Sequence, residues 1–213
     1  MSRAKRVPLL RVIPILPILA LLGFAAATAR AGGMGGYVEG EFSTSNLNDH
    51  GLDRGFDAAM GGFGFLYDGN IATDELLNYR LAFGYHVGDR DFDEGGSETI
   101  NGFTFDNTLG FAALRNSRFR IWGGPSLRLN IDWYEVSGDV DIVDVAIGIG
   151  PRFGVNVHLN DQISLTTSFA YHYMYLSEML ESQGFNRTVD GPQHMVGINL
   201  GVLWRSEDDL WED

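Results

Sequence analysis

From Leu77 to Val87 the chain alternates. Leu77, Tyr79, Leu81, Phe83, Tyr85 and Val87 fall on odd positions, with Asn78, Arg80, Ala82, Gly84 and His86 between them. A period of two is the signature of a strand with one apolar side. The pattern recurs at 103–111, at 119–133, at 143–157 (Val143, Val145, Ile147, Ile149, Phe153, Val155, Val157), at 163–175 and at 196–204. Two earlier stretches, 37–45 and 56–67, alternate less cleanly. Eight strands are predicted.

Alternation alone does not say which face meets the core. Strands of about 10 to 16 residues exceed the 5 to 6 typical of soluble sheets and are long enough to cross a bilayer when tilted. Their other face is rich in Gly, Ala, Ser, Thr and Asn with a few charges. That suits the crowded lumen of a small barrel better than a solvated surface. The bulky side chains are therefore expected to face lipid. The connections would be residues 46–55, 68–74, 88–102, 115–118, 135–141, 158–162 and 177–192. They alternate long and short, as external loops and periplasmic turns do. Asp68-Gly69-Asn70, Arg115-Asn116-Ser117 and Asn160-Asp161 carry turn residues. Phe56, Tyr85, Phe103, Trp133, Tyr173 and Tyr175 are expected near the external rim, and Tyr67, Phe119 and Trp204 near the periplasmic one, where amphipathic rings collect.

The first residues change the picture. Arg3, Lys5, Arg6 and Arg11 precede an apolar run from Val12 to Ala27, followed by Ala29-Arg30-Ala31. This reads as a signal peptide cleaved after Ala31; the run is too short, and too broken by Pro14 and Pro17, for a membrane helix. The organisation predicted is a signal peptide at 1–31, a barrel at 32–205 and an acidic periplasmic tail at 206–213. The whole chain of 213 residues has 15 Lys+Arg against 28 Asp+Glu. The signal peptide takes five of the basic residues and none of the acids, leaving 10 arginines against 28 acids, a net charge of −18. Such a surface excludes nucleic acid as a partner. The absence of cysteine removes disulfides, thiolate metal sites and thiol catalysis.

In pattern and topology residues 36–205 resemble the small eight-stranded outer-membrane barrels typified by the transmembrane domain of outer membrane protein A and by outer membrane protein X. The resemblance implies an all-β, antiparallel up-and-down transmembrane barrel in the bacterial outer membrane. It departs at the end, where many members stop at an aromatic residue. Here Trp204 is followed by Arg205 to Asp213, so the assembly signal is either Trp204 or Trp211.

Strand parity places Arg80, Arg120, Arg128, Arg152 and Arg205 inside with Glu39, Glu41, Asp106, Asp132 and Asp144. Buried charges must be paired, so a neutral ion-pair network filling the lumen is expected, and no open pore. The excess negative charge then falls on loops, rims and tail. The densest cluster runs from Asp89 to Glu98, read as an external loop. Asp89, Asp91 and Asp93 resemble the start of a calcium loop, but Glu94 stands where its glycine should be and Ile100 where its closing glutamate should be. The expectation is a solvated loop with at most weak Ca²⁺ or Mg²⁺ binding, and no cofactor.

No two of the five histidines have metal-ligand spacing: His50 lies in the first loop, His86 and His172 point inward, His158 lies at the periplasmic end, and His194 points outward. One nucleophile arrangement is worth naming: Ser177 with His194 and either Glu178 or Glu181, near the outer leaflet. Lipid A deacylases of this barrel class keep a Ser-His-acid triad there, but they carry a His-x-Ser pair on one strand, and here His172 is followed two residues on by Met174. The main reading is non-enzymatic: a monomeric barrel touching outer-membrane lipid and lipopolysaccharide, whose external loops meet an unspecified surface partner or support envelope integrity. A lipid A-modifying hydrolase and a small-ligand conduit are the alternatives. Finally, Gly124-Pro125 and Gly150-Pro151 open two G-P-x-x-x-x-N segments. A hairpin folded about Gly138 would make Pro125 and Pro151 cross-strand neighbours, at a non-hydrogen-bonded pair or a bulge.

Overall fold

The computed structural model describes residues 32–49, 52–69, 71, 76–136, 140–182 and 185–205. The predicted signal peptide, His50, the acidic tail and Trp211 lie outside the described residues. Eight antiparallel strands close into one barrel with each strand paired to its sequence neighbours: β1 (Gly32–Asp49), β2 (Leu52–Gly69), β3 (Leu77–Phe92), β4 (Ser97–Arg115), β5 (Phe119–Val136), β6 (Val140–His158), β7 (Ile163–Ser182) and β8 (Phe185–Arg205). Among the described residues no helix is long and apolar enough to cross a membrane; the crossing is made by strands.

The register sets the geometry. A row of paired residues runs Glu39, Gly62, His86, Gly102, Asp132, Asp144, Glu178, Val189. The β8–β1 register, fixed by Gly33↔Arg205 and Asn48↔Asp190, returns that row to β1 at Asp49, ten residues beyond its start. With steps of about 3.3 Å along a strand and about 4.8 Å between strands, a stagger of ten over eight strands means a tilt of about 40°. That lies within the range for transmembrane barrels.

The orientation of the faces is as the alternation implies. Phe42 (68% exposed), Phe83, Phe111, Ile147, Ile149 and Trp204 all stand on the outside, and Leu81 shares that face. A cylinder wrapped in that much hydrocarbon needs an apolar solvent. Phe63, Tyr85, Phe103 and Trp133 form a chain of ring contacts on the outer wall, with centroids 5.4 to 6.1 Å apart between successive members where Phe103 bridges Tyr85 (5.8 Å) and Trp133 (5.4 Å). Phe56 departs from the expected girdle: it is 1% exposed and points inward against Phe92.

The connections also differ from expectation. The short ones are where they should be, at 70–76, 116–118 and 159–162, but the segments expected as long external loops are, among the described residues, mostly strand. Strand pairing continues through them, leaving 93–96 between β3 and β4 and two or three residues in each other external hairpin. Gly95 and Gly96 make the 93–96 turn with φ of 93° and 103°, a region open to glycine. On β3 the apolar face ends at Val87, and the strand continues for five residues to Phe92. At that tilt these five residues carry the wall about 12 Å beyond the lipid belt.

Pro125 and Pro151 are direct partners. A hydrogen-bonded pair would need an N–H from each, so this pair is non-hydrogen-bonded, and each proline nitrogen faces the strand on its other side. The consequence is visible there: the β4–β5 and β6–β7 ladders are interrupted next to Pro125 and Pro151, while the β5–β6 register runs through unbroken. The bulge lies elsewhere, between Ala112 and Leu114 on β4.

Candidate functional site: the lumen and the external rim

All ten side chains assigned to the lumen from parity are buried and inward-facing: Glu39, Glu41, Arg80, Asp106, Arg120, Arg128, Asp132, Asp144, Arg152 and Arg205. Three more charges join them. Asp68, Arg90 and Glu178 are each at most 1% exposed. Their sequence signal is the same parity, read a few residues further: Asp68 follows Leu66, Arg90 follows His86, and Glu178 follows Met174 and Leu176 on inward faces. Among the described residues six buried arginines face seven buried carboxylates, and the partly exposed Arg54 brings a seventh guanidinium to Glu178 at 3.4 Å.

The pairs stack in three tiers. At the periplasmic end Arg80 donates to Asp68 (3.3 Å) and to Thr166 Oγ1 (2.8 Å), and lies over Trp122 at 5.0 Å. In the middle Arg128 reaches Asp106 (3.0 Å), Glu39 (3.8 Å) and Glu41, while Arg152 donates to the same Asp106 at 2.6 Å. His172 approaches Asp106 at 3.8 Å. At the external end Arg90 is bound by Asp144 (2.5 Å) and Glu178 (3.5 Å), and stacks on Phe56 at 4.0 Å. The Tyr134 hydroxyl donates to Glu178 at 2.9 Å.

Apolar side chains fill the rest. Leu47, Phe56, Met60, Ile100, Met174 and Leu176 pack inside the external half, and Tyr37, Leu66, Ile71 and Leu203 nearer the periplasmic mouth. A groove of about 730 Å³, lined by Val38, Phe63, Val157, Leu165, Leu200 and Val202, lies on the lipid-facing wall, where acyl chains would meet it.

The two other groups of candidate residues are placed differently. Asp89 and Asp91 are not in a loop but on the outward face of β3, with Asp93 just past its end; all three are exposed, and Asp89 accepts from Thr99 Oγ1 at 3.0 Å. They belong to a wider acidic rim with Asp57, Glu94 and Asp190. The hydrolase arrangement is not assembled. His194 pairs with Tyr173 and shares a hydrogen bond with the Tyr171 hydroxyl (2.7 Å), whereas Ser177 pairs with Asp190, four residues along β7 and so about 13 Å away. Glu178 is on the other side of the wall, and Glu181's side chain lies outside the described residues.

No protein-family model matches the chain, and no curated protein matches it. Solved structures do. The chain is similar to the outer membrane protein OprG from Pseudomonas aeruginosa, at 13% identity over 83% of this chain and 95% of that one, with a TM-score of 0.59. It is also similar to the outer membrane protein AlkL, solved by solid-state NMR in lipid bilayers, at 13% identity over 83% of this chain and 90% of that one, with a TM-score of 0.52. The fold is that of a small eight-stranded outer-membrane barrel. With its hydrocarbon belt, strand tilt and closed ring, this barrel is an integral protein of the bacterial outer membrane.

Proposed function

We propose that this barrel is a closed, non-enzymatic envelope protein that works through its external rim, against the lipopolysaccharide leaflet and whatever meets the cell surface there. The observation that carries the reading is the packed lumen. A solute crossing it would have to break buried ion pairs in three tiers and displace the apolar side chains between them, and each broken pair leaves a charge stranded away from water. What remains accessible from outside is the strand extension above the belt. Its exposed acids Asp57, Asp89, Asp91 and Asp190 stand on the outer wall. Lipopolysaccharide is itself anionic, so contact at this rim is favourable through shared Ca²⁺ or Mg²⁺, which take carboxylate and phosphate oxygens together.

The reading is tested with purified barrel in planar bilayers and in vesicles containing lipopolysaccharide. It expects no single-channel steps, unchanged lipid A in expressing cells, and lipopolysaccharide retention that falls on chelation and on neutralising Asp57, Asp89, Asp91 and Asp190 together. Reproducible conductance steps would overturn the closed barrel. Retention indifferent to both chelator and rim acids would overturn the rim contact.

A further inference from the structure

Glu39, Gly62, His86, Gly102 and Asp132 are successive members of one register row, on β1, β2, β3, β4 and β5. Two glycines separate three functional side chains, and both make room. A Cβ on Gly62 would sit 3.0 Å from Glu39 Oε1, and one on Gly102 would collide with Asp132 Oδ1. Glu39 and Asp132 therefore lean over the glycines from either side toward His86. Glu41, two residues along β1 on the same face, completes a set in which one oxygen of each glutamate and a nitrogen of His86 lie within 4.8 Å of one another.

His86 is fully buried; its Nε2 is 2.6 Å from Asp132 Oδ1, and its Nδ1 has no hydrogen-bond partner. Glu39 Oε1 and both oxygens of Glu41 likewise have none, although Arg128 forms ion pairs with Glu41 and, at 3.8 Å, with Glu39 Oε2. A carboxylate hydrogen-bonded to one imidazole nitrogen, with the other left without a hydrogen-bond partner, is how a metal-bound histidine is held and its tautomer set. The contacts of Arg128, Arg152 and His86 connect these residues to Asp106 and Asp132 in one buried network.

We propose that Glu39, Glu41 and His86 form a metal site inside the lumen for a transition-metal dication of the zinc type. The imidazole ligand disfavours Ca²⁺ and Mg²⁺, which take oxygen. Three protein ligands suit zinc with one position left for water. Asp132 is a positioning residue. The site is distinct from the acidic rim and independent of the reading given for it. Because the lumen is packed above and below, the ion enters as the barrel closes.

The test refolds the full chain from urea into detergent with Zn²⁺ or with EDTA, removes free metal, and measures zinc per folded barrel, folding being read by heat-modifiable migration. One zinc per barrel is expected for the wild type and for Asp89→Asn/Asp91→Asn. A tenfold or greater loss is expected for His86→Gln and for Glu41→Gln, and an intermediate loss for Asp132→Asn. Should the lumenal variants fail to fold, X-ray absorption of zinc-loaded wild type decides: a shell with one imidazole nitrogen supports the site, and an all-oxygen shell overturns it. No zinc in the folded wild type, or zinc lost with the rim acids and kept without His86, also overturns it.

Discussion

His86 and Asp132 sit on strands that do not touch, β3 and β5, yet their side chains meet at 2.6 Å over the backbone of β4. They can do so because the residue between them is Gly102. A methyl group there would sit 2.0 Å from Asp132 Oδ1. Gly102→Ala is therefore expected to cost about 1–3 kcal/mol by overpacking. Gly40→Ala, where a Cβ meets nothing within 4 Å, should cost little. The measurement is the urea midpoint of the folded barrel in detergent or vesicles; equal midpoints would contradict the row geometry.

Arg128 holds three carboxylates. Replacing it by Met leaves Glu39, Glu41 and Asp106 facing one another, with Arg152 on Asp106 alone. Loss of one partner from a buried pair typically costs about 3–5 kcal/mol. Adding Glu41→Gln should restore part of that, because it removes a charge left stranded. A double-mutant cycle on unfolding free energies would show this as coupling, and strict additivity would argue against direct pairing.

Ile149 is 62% exposed midway along the apolar face of β6. Ile149→Arg is expected to destabilise the folded barrel in vesicles by about 2–4 kcal/mol, the cost of a cation near the bilayer midplane. Thr99→Arg, on the outer face of β4 beyond the belt, should cost about 1 kcal/mol or less. If the two variants are equal, the belt is not where the exposed side chains place it.

At Pro125 and Pro151 the strands approach as a non-hydrogen-bonded pair, for which Cα atoms are about 4.5 Å apart, within disulfide range. Pro125→Cys with Pro151→Cys is expected to lose both free thiols on mild oxidation of the folded barrel. Pro125→Cys with Val155→Cys should keep them. Thiol counting by maleimide labelling distinguishes the two.

Pairing the outward parity of Leu77 to Val87 with that of the other strands was enough to derive strand number, the lipid-facing side and ten lumenal charges, because a period of two leaves each residue only two faces. Extending the same parity would have reached Asp68, Arg90 and Glu178. Polar and charged sequence near strand ends reads as loop, whereas the closed ring continues pairing through it. What parity cannot supply is register. That Glu39, His86 and Asp132 fall in one row, separated by Gly62 and Gly102, depends on how far each strand slides against the next, and a slide of two residues keeps every side chain on its face while changing all its neighbours. Where the alternation is clean, which residues face inward was therefore written in the sequence, though not at Phe56 on the less regular β2; which of them touch was decided by the closure of the barrel, whose stagger of ten residues aligns positions far apart in the chain.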